Sequence, residues 1–171
     1  MPLKTIAFAR AVLPLIRTEI PDATLTVVGA RPARAVRELA SLGDHVELLG
    51  QVPDLAPFIA RARVAVAPLR AGSGQSLKIL EAMASGTPVV ATPRAVEGLA
   101  VNAGEHVLLA GDAPGFAAHV VRLLRDPAAA DAMAAAARRL VEAHYDWQAS
   151  VTALEAVYQS IAARPCDSSG S

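Results

Sequence analysis

Apolar residues recur at helical spacing over residues 5–18, where Ile6, Phe8, Ala9, Val12, Leu13 and Ile16 share one stripe. The spacing predicts an amphipathic helix that carries Pro14 within it. A different pattern follows: Leu25 to Val28 is a short, continuous run rich in β-branched residues, ending at Gly29, and Pro32 then suits the first turn of a helix. The unit recurs with Val46 to Leu49 before Gly50, a helix that Asp54 caps and that runs to Ala62, and a third apolar run from Val64 to Ala67. A loop of small residues after Pro68 leads into a helix over 77–85 that Gly86 closes. Val89 to Ala91 and Val107 to Leu109 read as the fourth and fifth strands, with a looser loop containing Glu97 and Gly98 between them. Beyond Asp112 the spacing is helical, over 113–125, over 128–143 with Asp126 and Pro127 as start signals, and over 147–163.

Strands that are apolar throughout, rather than alternating, belong to parallel sheets covered on both faces. The expected fold is therefore α/β, a doubly wound, Rossmann-like parallel sheet of about five strands with a helical C-terminus. It forms one domain over residues 1–164, and the polar tail 165–171 is expected to be disordered. Ligands of such sheets lie beyond the carboxyl ends of the strands, so Gly29, Gly50 and the 68–76 loop are expected on a common rim.

Composition narrows the function classes. The chain has 171 residues, 53% of them hydrophobic and 19% charged, with 16 basic side chains against 16 acidic ones. That balance supports a buried core and leaves no net field to steer the chain toward nucleic acid, so any anion site is local. Cys166 is the one cysteine, which excludes a disulfide framework and a cysteine-based metal cluster and fits a reducing compartment. Lys4, Arg10 and Arg17 interrupt the first seventeen residues, unlike a signal peptide, and no stretch reaches the roughly 18 uncharged apolar residues of a membrane span. His45, His106, His119 and His144 are scattered without ligand spacing, so neither a metal nor any other cofactor is expected. Tyr145 and Trp147 open the last helix, where Val151, Leu154, Val157, Tyr158 and Ile161 make an apolar stripe suited to core packing.

Chemistry concentrates at Gly72-Ser73-Gly74-Gln75-Ser76 and the helix after it. Small residues let backbone N–H groups approach an anion, and the helix adds its positive end, which suits a phosphate or diphosphate. A tight strand-to-helix turn would use the same residues. Lys78 tips the balance toward an anion, because only it and Lys4 among the 16 basic residues are lysines and it stands in the first turn. Glu81 is flanked by Leu80, Ala82 and Met83, a setting in which a carboxylate is expensive without a partner. It either pairs with Lys78 one turn earlier or accepts hydrogen bonds from the hydroxyls of a ribose or sugar. Gly29 and Gly50 serve equally as turn residues or as points where backbone meets ligand.

Four runs carry a resemblance: Leu25-Thr26-Val27-Val28-Gly29; Val46 through Gly50 to Asp54; Leu80-Glu81-Ala82-Met83-Ala84-Ser85-Gly86-Thr87-Pro88-Val89-Val90-Ala91-Thr92; and Glu97-Gly98-Leu99. Over residues 24–110, and more loosely 5–160, the chain resembles the C-terminal, nucleotide-sugar-binding half of GT-B glycosyltransferases of the group-1 type. It is most like sugar transferases of exopolysaccharide loci, including those associated with exosortase (PEP-CTERM) systems. The resemblance implies transfer, mostly with retention, of a sugar from a nucleotide diphosphate donor to a glycan or lipid-linked acceptor. It casts Glu81 as the second glutamate of the family's Glu, seven residues, Glu motif, which holds the donor ribose. Ser73 stands where the first glutamate would be and offers a hydroxyl without charge. Gly74, Gln75 and Ser76 would give backbone N–H groups to the diphosphate, with Lys78 beside it. Val52 would hold the nucleobase through its main chain, and Gly29 and Arg31 would line the same cleft.

The resemblance also implies that the N-terminal acceptor domain lies outside these residues, together with the strand that opens this half. In a doubly wound order that strand is central, so the strands at 25–28 and 64–67 are each expected to have an unpaired edge. The readings left open are a transferase donor half, a nucleotide-sugar-binding module that works only with a separate N-terminal partner, and a sugar-nucleotide epimerase, which the Leu-Glu-Ala-Met run fits less well. The expected location is cytoplasmic, with peripheral contact at the inner membrane face. A domain lacking its central strand is expected to be marginally stable, with thermal unfolding by circular dichroism centred below about 60 °C. A sharp transition above that temperature would contradict the expectation.

Overall fold

Pro14 has no N–H to donate, and it divides the first helix in two. In the computed structural model of the chain, which describes residues 2–29, 45–68 and 77–145, α1 (Pro2–Ala11) and α2 (Leu13–Glu19) meet at Val12, with Pro14 in the first turn of α2. This corrects the single helix expected over 5–18. The stripe nevertheless survives the break, since Phe8, Val12 and Ile16 are all buried.

The strands are β1 (Leu25–Val28), β2 (Val46–Leu49), β3 (Ala65–Ala67), β4 (Val89–Ala91) and β5 (Leu108–Leu109). Helix α3 (Ala56–Arg61) joins β2 to β3, and α4 (Leu77–Ala84) joins β3 to β4. Helices α5 (Ala113–Arg125) and α6 (Pro127–His144) complete the described chain. A 3-10 turn at Pro93–Val96 replaces part of the loop expected after β4. The helix expected after Pro32, the 69–76 loop, the helix expected over 147–163 and the tail lie outside the described residues.

All five strands pair in parallel, but in two sheets rather than one. Leu25 stands opposite Val46 in the first, β2-β1; Ala65 stands opposite Val89 and Val90 opposite Leu108 in the second, β3-β4-β5. Among the described residues β1 and β3 each have one ladder partner, in line with the unpaired edges expected for both. Both strands are only partly covered, whereas β4 is buried throughout.

Alternate residues of β4 serve two cores. Val90 faces Phe8 of α1, Val12 at the break, Ile16 of α2, Phe116 and Val120 of α5, and Met133 of α6. Val89 and Ala91 face Ile79, Leu80 and Met83 of α4 with Ala95, Val96 and Leu99 after it. The Phe8 and Phe116 rings meet edge to face at 5.3 Å and 80°, a geometry worth about 0.5–1.5 kcal/mol beyond the area it buries. The expected start signals act as caps: Asp112 accepts from the Gly115 N–H at 2.9 Å and Asp126 from the Ala129 N–H at 3.0 Å.

The end of α4 is fixed more tightly. Gly86, at φ +72°, donates its N–H to the Met83 carbonyl, and the Thr87 N–H reaches back to the Ala82 carbonyl, which is the Schellman closure. The Thr87 hydroxyl, buried, then donates to the Ile59 carbonyl of α3 at 2.8 Å. One residue thus ends α4, ties it to α3 and delivers Pro88 to β4. A Thr87→Val variant keeps the shape and loses that bond, so its stability should fall by about 1 kcal/mol and its melting temperature by about 2–4 °C. An unchanged melting curve would show that the tie contributes nothing.

Candidate functional site

Parallel strands place all their carboxyl ends on one rim, and backbone pairing joins part of it directly. Gly29, following β1, donates its N–H to the Leu49 carbonyl at 3.3 Å, which brings it beside Gly50 at the end of β2. Both glycines are exposed, and a Cβ built on either would meet nothing within 4 Å. Neither has a positive φ, unlike Gly86, Gly98 and Gly104. A left-handed turn therefore does not account for them, and an open backbone surface remains. Val52 is partly buried two residues beyond Gly50, in a segment held by Asp54, whose Oδ1 accepts from the Ala56 N–H at 2.9 Å.

Helix α4 starts on the same rim, after β3, and its two faces are sharply divided. Ile79, Leu80, Ala82 and Met83 are buried, with Met83 at 0% and Ile79 at 1% exposure, while Leu77, Lys78, Glu81 and Ala84 are exposed. Positions 77, 78, 81 and 84 follow helical spacing, so leucine, ammonium and carboxylate share one solvent face. The expectation that Glu81 sits in apolar surroundings is corrected. Its neighbours in sequence point into the core, whereas the side chain itself points to water. The alternative of an ion pair with Lys78 is not realised either: among the described residues neither group has an ion-pair partner. Two opposite charges one turn apart are left available on the rim.

The structure thus brings Gly29 and Gly50 together at the ends of β1 and β2, with Val52 just beyond, and places Lys78 and Glu81 on the exposed face of α4, the helix that follows β3. Arg31, Ser73, Gly74, Gln75 and Ser76 lie outside the described residues. Leu77, passed over in the sequence, is 67% exposed beside Lys78. The signal for it is its position just ahead of the buried pair at 79 and 80, which turns it to the charged face. Tyr145 also proves more than filler: it packs against the α4 core, and its hydroxyl accepts from the Ala100 N–H at 2.8 Å. His106 is buried by a structural duty, its Nδ1 accepting from the Asn102 N–H at 3.0 Å and its Nε2 lying 3.6 Å from Glu105. No helix among the described residues is long and apolar enough to cross a membrane.

Comparison with known proteins bears on the family and the fold. Residues 3–126 match the family model of glycosyl transferases group 1. A phosphatidyl-myo-inositol mannosyltransferase of Mycobacterium leprae is 32% identical over 166 residues, which cover 94% of this chain and 44% of the relative. Among solved structures, a sucrose-phosphate synthase from Thermosynechococcus elongatus superposes with a TM-score of 0.74 at 31% identity, over 95% of this chain and 42% of that one. The Anabaena protein HepE, in complex with UDP and glucose, shares the fold at a TM-score of 0.73 and 20% identity, over 91% and 44% respectively. The chain spans less than half the length of each of these three proteins. The fold is that of a GT-B half-domain, and the chain belongs to the group-1 glycosyl transferases.

Proposed function

We propose that this chain is the donor-binding half of a glycosyltransferase, a domain over 1–164 that holds a nucleotide diphosphate sugar at the rim described above. The observation that carries the reading is Lys78 and Glu81 on one exposed face of α4, without an ion-pair partner among the described residues, while the helix's other face is locked in the core. A carboxylate there accepts two ribose hydroxyl hydrogen bonds, and the lysine in the first turn meets diphosphate charge together with the helix end. Backbone N–H groups of Gly74, Gln75 and Ser76 complete the diphosphate cradle, Ser73 addresses the donor sugar, and Val52 meets the base between Gly29, Arg31 and Gly50. HepE, a protein of the same fold, was crystallised with UDP and glucose, which supports a nucleotide-sugar ligand for this chain.

Catalysis in this reading is electrostatic. Charge develops on the departing diphosphate, and donors already aimed at that position stabilise it without a nucleophilic side chain. The acceptor, a glycan or lipid-linked sugar in polysaccharide assembly, is held by an N-terminal domain outside these residues, at the inner face of the cytoplasmic membrane. Retention of configuration and an exopolysaccharide setting of the exosortase-associated kind belong to the same reading. A second reading is favoured by Ser73, which brings no acid: a module that binds the donor and catalyses only with a partner chain.

Calorimetric titration with UDP-glucose and GDP-mannose tests the donor site. Glu81→Ala should weaken binding of the preferred donor by about tenfold or more, the loss expected for hydrogen bonds to a charged group. Its melting temperature should stay within about 2 °C of the parent, because the side chain is exposed. Equal binding by the variant would remove Glu81 from the site. Binding without turnover would favour the second reading.

A further inference from the structure

The turn that leaves β4 is tied down along its length. Thr92 donates its N–H to the Ala67 carbonyl at 3.2 Å, so the 3-10 turn at Pro93–Val96 starts beside the exit of β3. The Ala95 N–H bonds to the Thr92 carbonyl and the Leu99 N–H to the Val96 carbonyl, each at 2.9 Å, with Gly98 at φ +81° reversing the chain between them. Ala95, Val96 and Leu99 are buried in the cluster that holds Ile79, Leu80 and Met83 of α4. Beyond them the Ala100 N–H donates to the Tyr145 hydroxyl at the end of α6. The side chains that this turn leaves exposed between Thr92 and Leu99 are those of Pro93, Arg94 and Glu97. The carboxylates that follow the strand ends differ in what they already hold. After β2, Asp54 accepts from the Ala56 N–H, and after β5, Asp112 caps α5. Between Asp54 and Glu81 the sequence has no acidic residue. Of the described residues that leave the strands at their carboxyl ends, Glu81 and Glu97 are the acids with neither a cap nor an ion pair among the described residues.

We propose that Glu97 is a specificity-determining residue for the sugar moiety of the donor, its carboxylate accepting hydrogen bonds from sugar hydroxyls while Glu81 holds the ribose. The proposal rests on the donor reading and adds to it a second wall, the turn after β4. A neutral sugar offers hydroxyls and no charge, so the strongest contacts open to it are charge-assisted hydrogen bonds to a carboxylate. The two oxygens of Glu81 are taken by the two ribose hydroxyls, and the sugar beyond the diphosphate then needs a second acid. Glu97 supplies it from a different element than Glu81. One ligand meets both acids only by spanning α4 and the turn, as a ribose and a sugar joined by a diphosphate do. Burial of Ala95, Val96 and Leu99 and the bond from Ala100 to Tyr145 hold the backbone that carries the carboxylate.

Titration calorimetry on the full chain tests it, with whichever of UDP-glucose and GDP-mannose the parent binds more tightly and with the matching nucleoside diphosphate. Glu97→Gln keeps the length of the side chain and removes its charge. It should weaken binding of the nucleotide sugar by about tenfold and leave the nucleoside diphosphate within about twofold of the parent. Glu81→Ala should weaken both ligands alike, because the ribose is common to them. Equal binding of the nucleotide sugar by Glu97→Gln and the parent overturns the proposal, and the donor reading stands if Glu81→Ala still loses affinity. An equal loss of both ligands in Glu97→Gln overturns it as well, since the contact then lies on the nucleotide. A parent that binds neither nucleotide sugar removes the donor reading and this proposal with it.

Discussion

Val89, Val90 and Ala91 are exposed by 1%, 0% and 0%, and the rest of the molecule is organised around their burial. A strand with no water on either face must pair its backbone on both sides and offer side chains to two helical layers at once. Strand β4 does so through β3 and β5, with Val90 set into the α1, α2, α5 and α6 layer and its neighbours into the α4 layer. Because β3 and β5 run parallel to it, the carboxyl ends of this sheet are aligned on one rim by the same constraint that makes the core. The position of the candidate site is therefore a consequence of packing, independent of any ligand.

Helix α4 links that packing to chemistry. Its apolar face is held by the core, its end by the Schellman closure at Gly86 and by the Thr87 hydroxyl on Ile59. A helix of eight residues fixed on one side and at one end holds the remaining face in place. Lys78 and Glu81 are on that face. The packing fixes the backbone that carries them, while the two side chains themselves extend into solvent. The same rim contains the exposed glycines after β1 and β2, where backbone is approachable from solvent.

Much of this was legible along the chain. Strands 25–28, 46–49 and 89–91 were readable from continuous apolar runs between glycine and proline signals, and the caps of α5 and α6 from Asp112 and Asp126. Other features depend on relations that no local window contains. The break at Val12 was masked because the apolar stripe continues through it, while Pro14 alone carried the contrary signal. The division into two sheets depends on which strands find partners, a matter of long-range pairing. Glu81 was misjudged because its apolar neighbours at adjacent positions lie on the opposite side of the helix, and adjacency in a helix is not proximity. The charged face becomes visible only when positions 77, 78, 81 and 84 are taken together.

The account turns on the claim that the carboxyl-end rim is where a nucleotide sugar binds. Titrating UDP-glucose into isotopically labelled chain, up to about 1 mM so that weak binding is detected, and following backbone amide signals tests that claim most directly. The account predicts that shifts cluster at Gly29, Gly50, Val52 and residues 77–81, with Leu25, Val46 and Val89 at the opposite ends of the strands unmoved. Shifts confined to those opposite ends, or none at either rim, would contradict it.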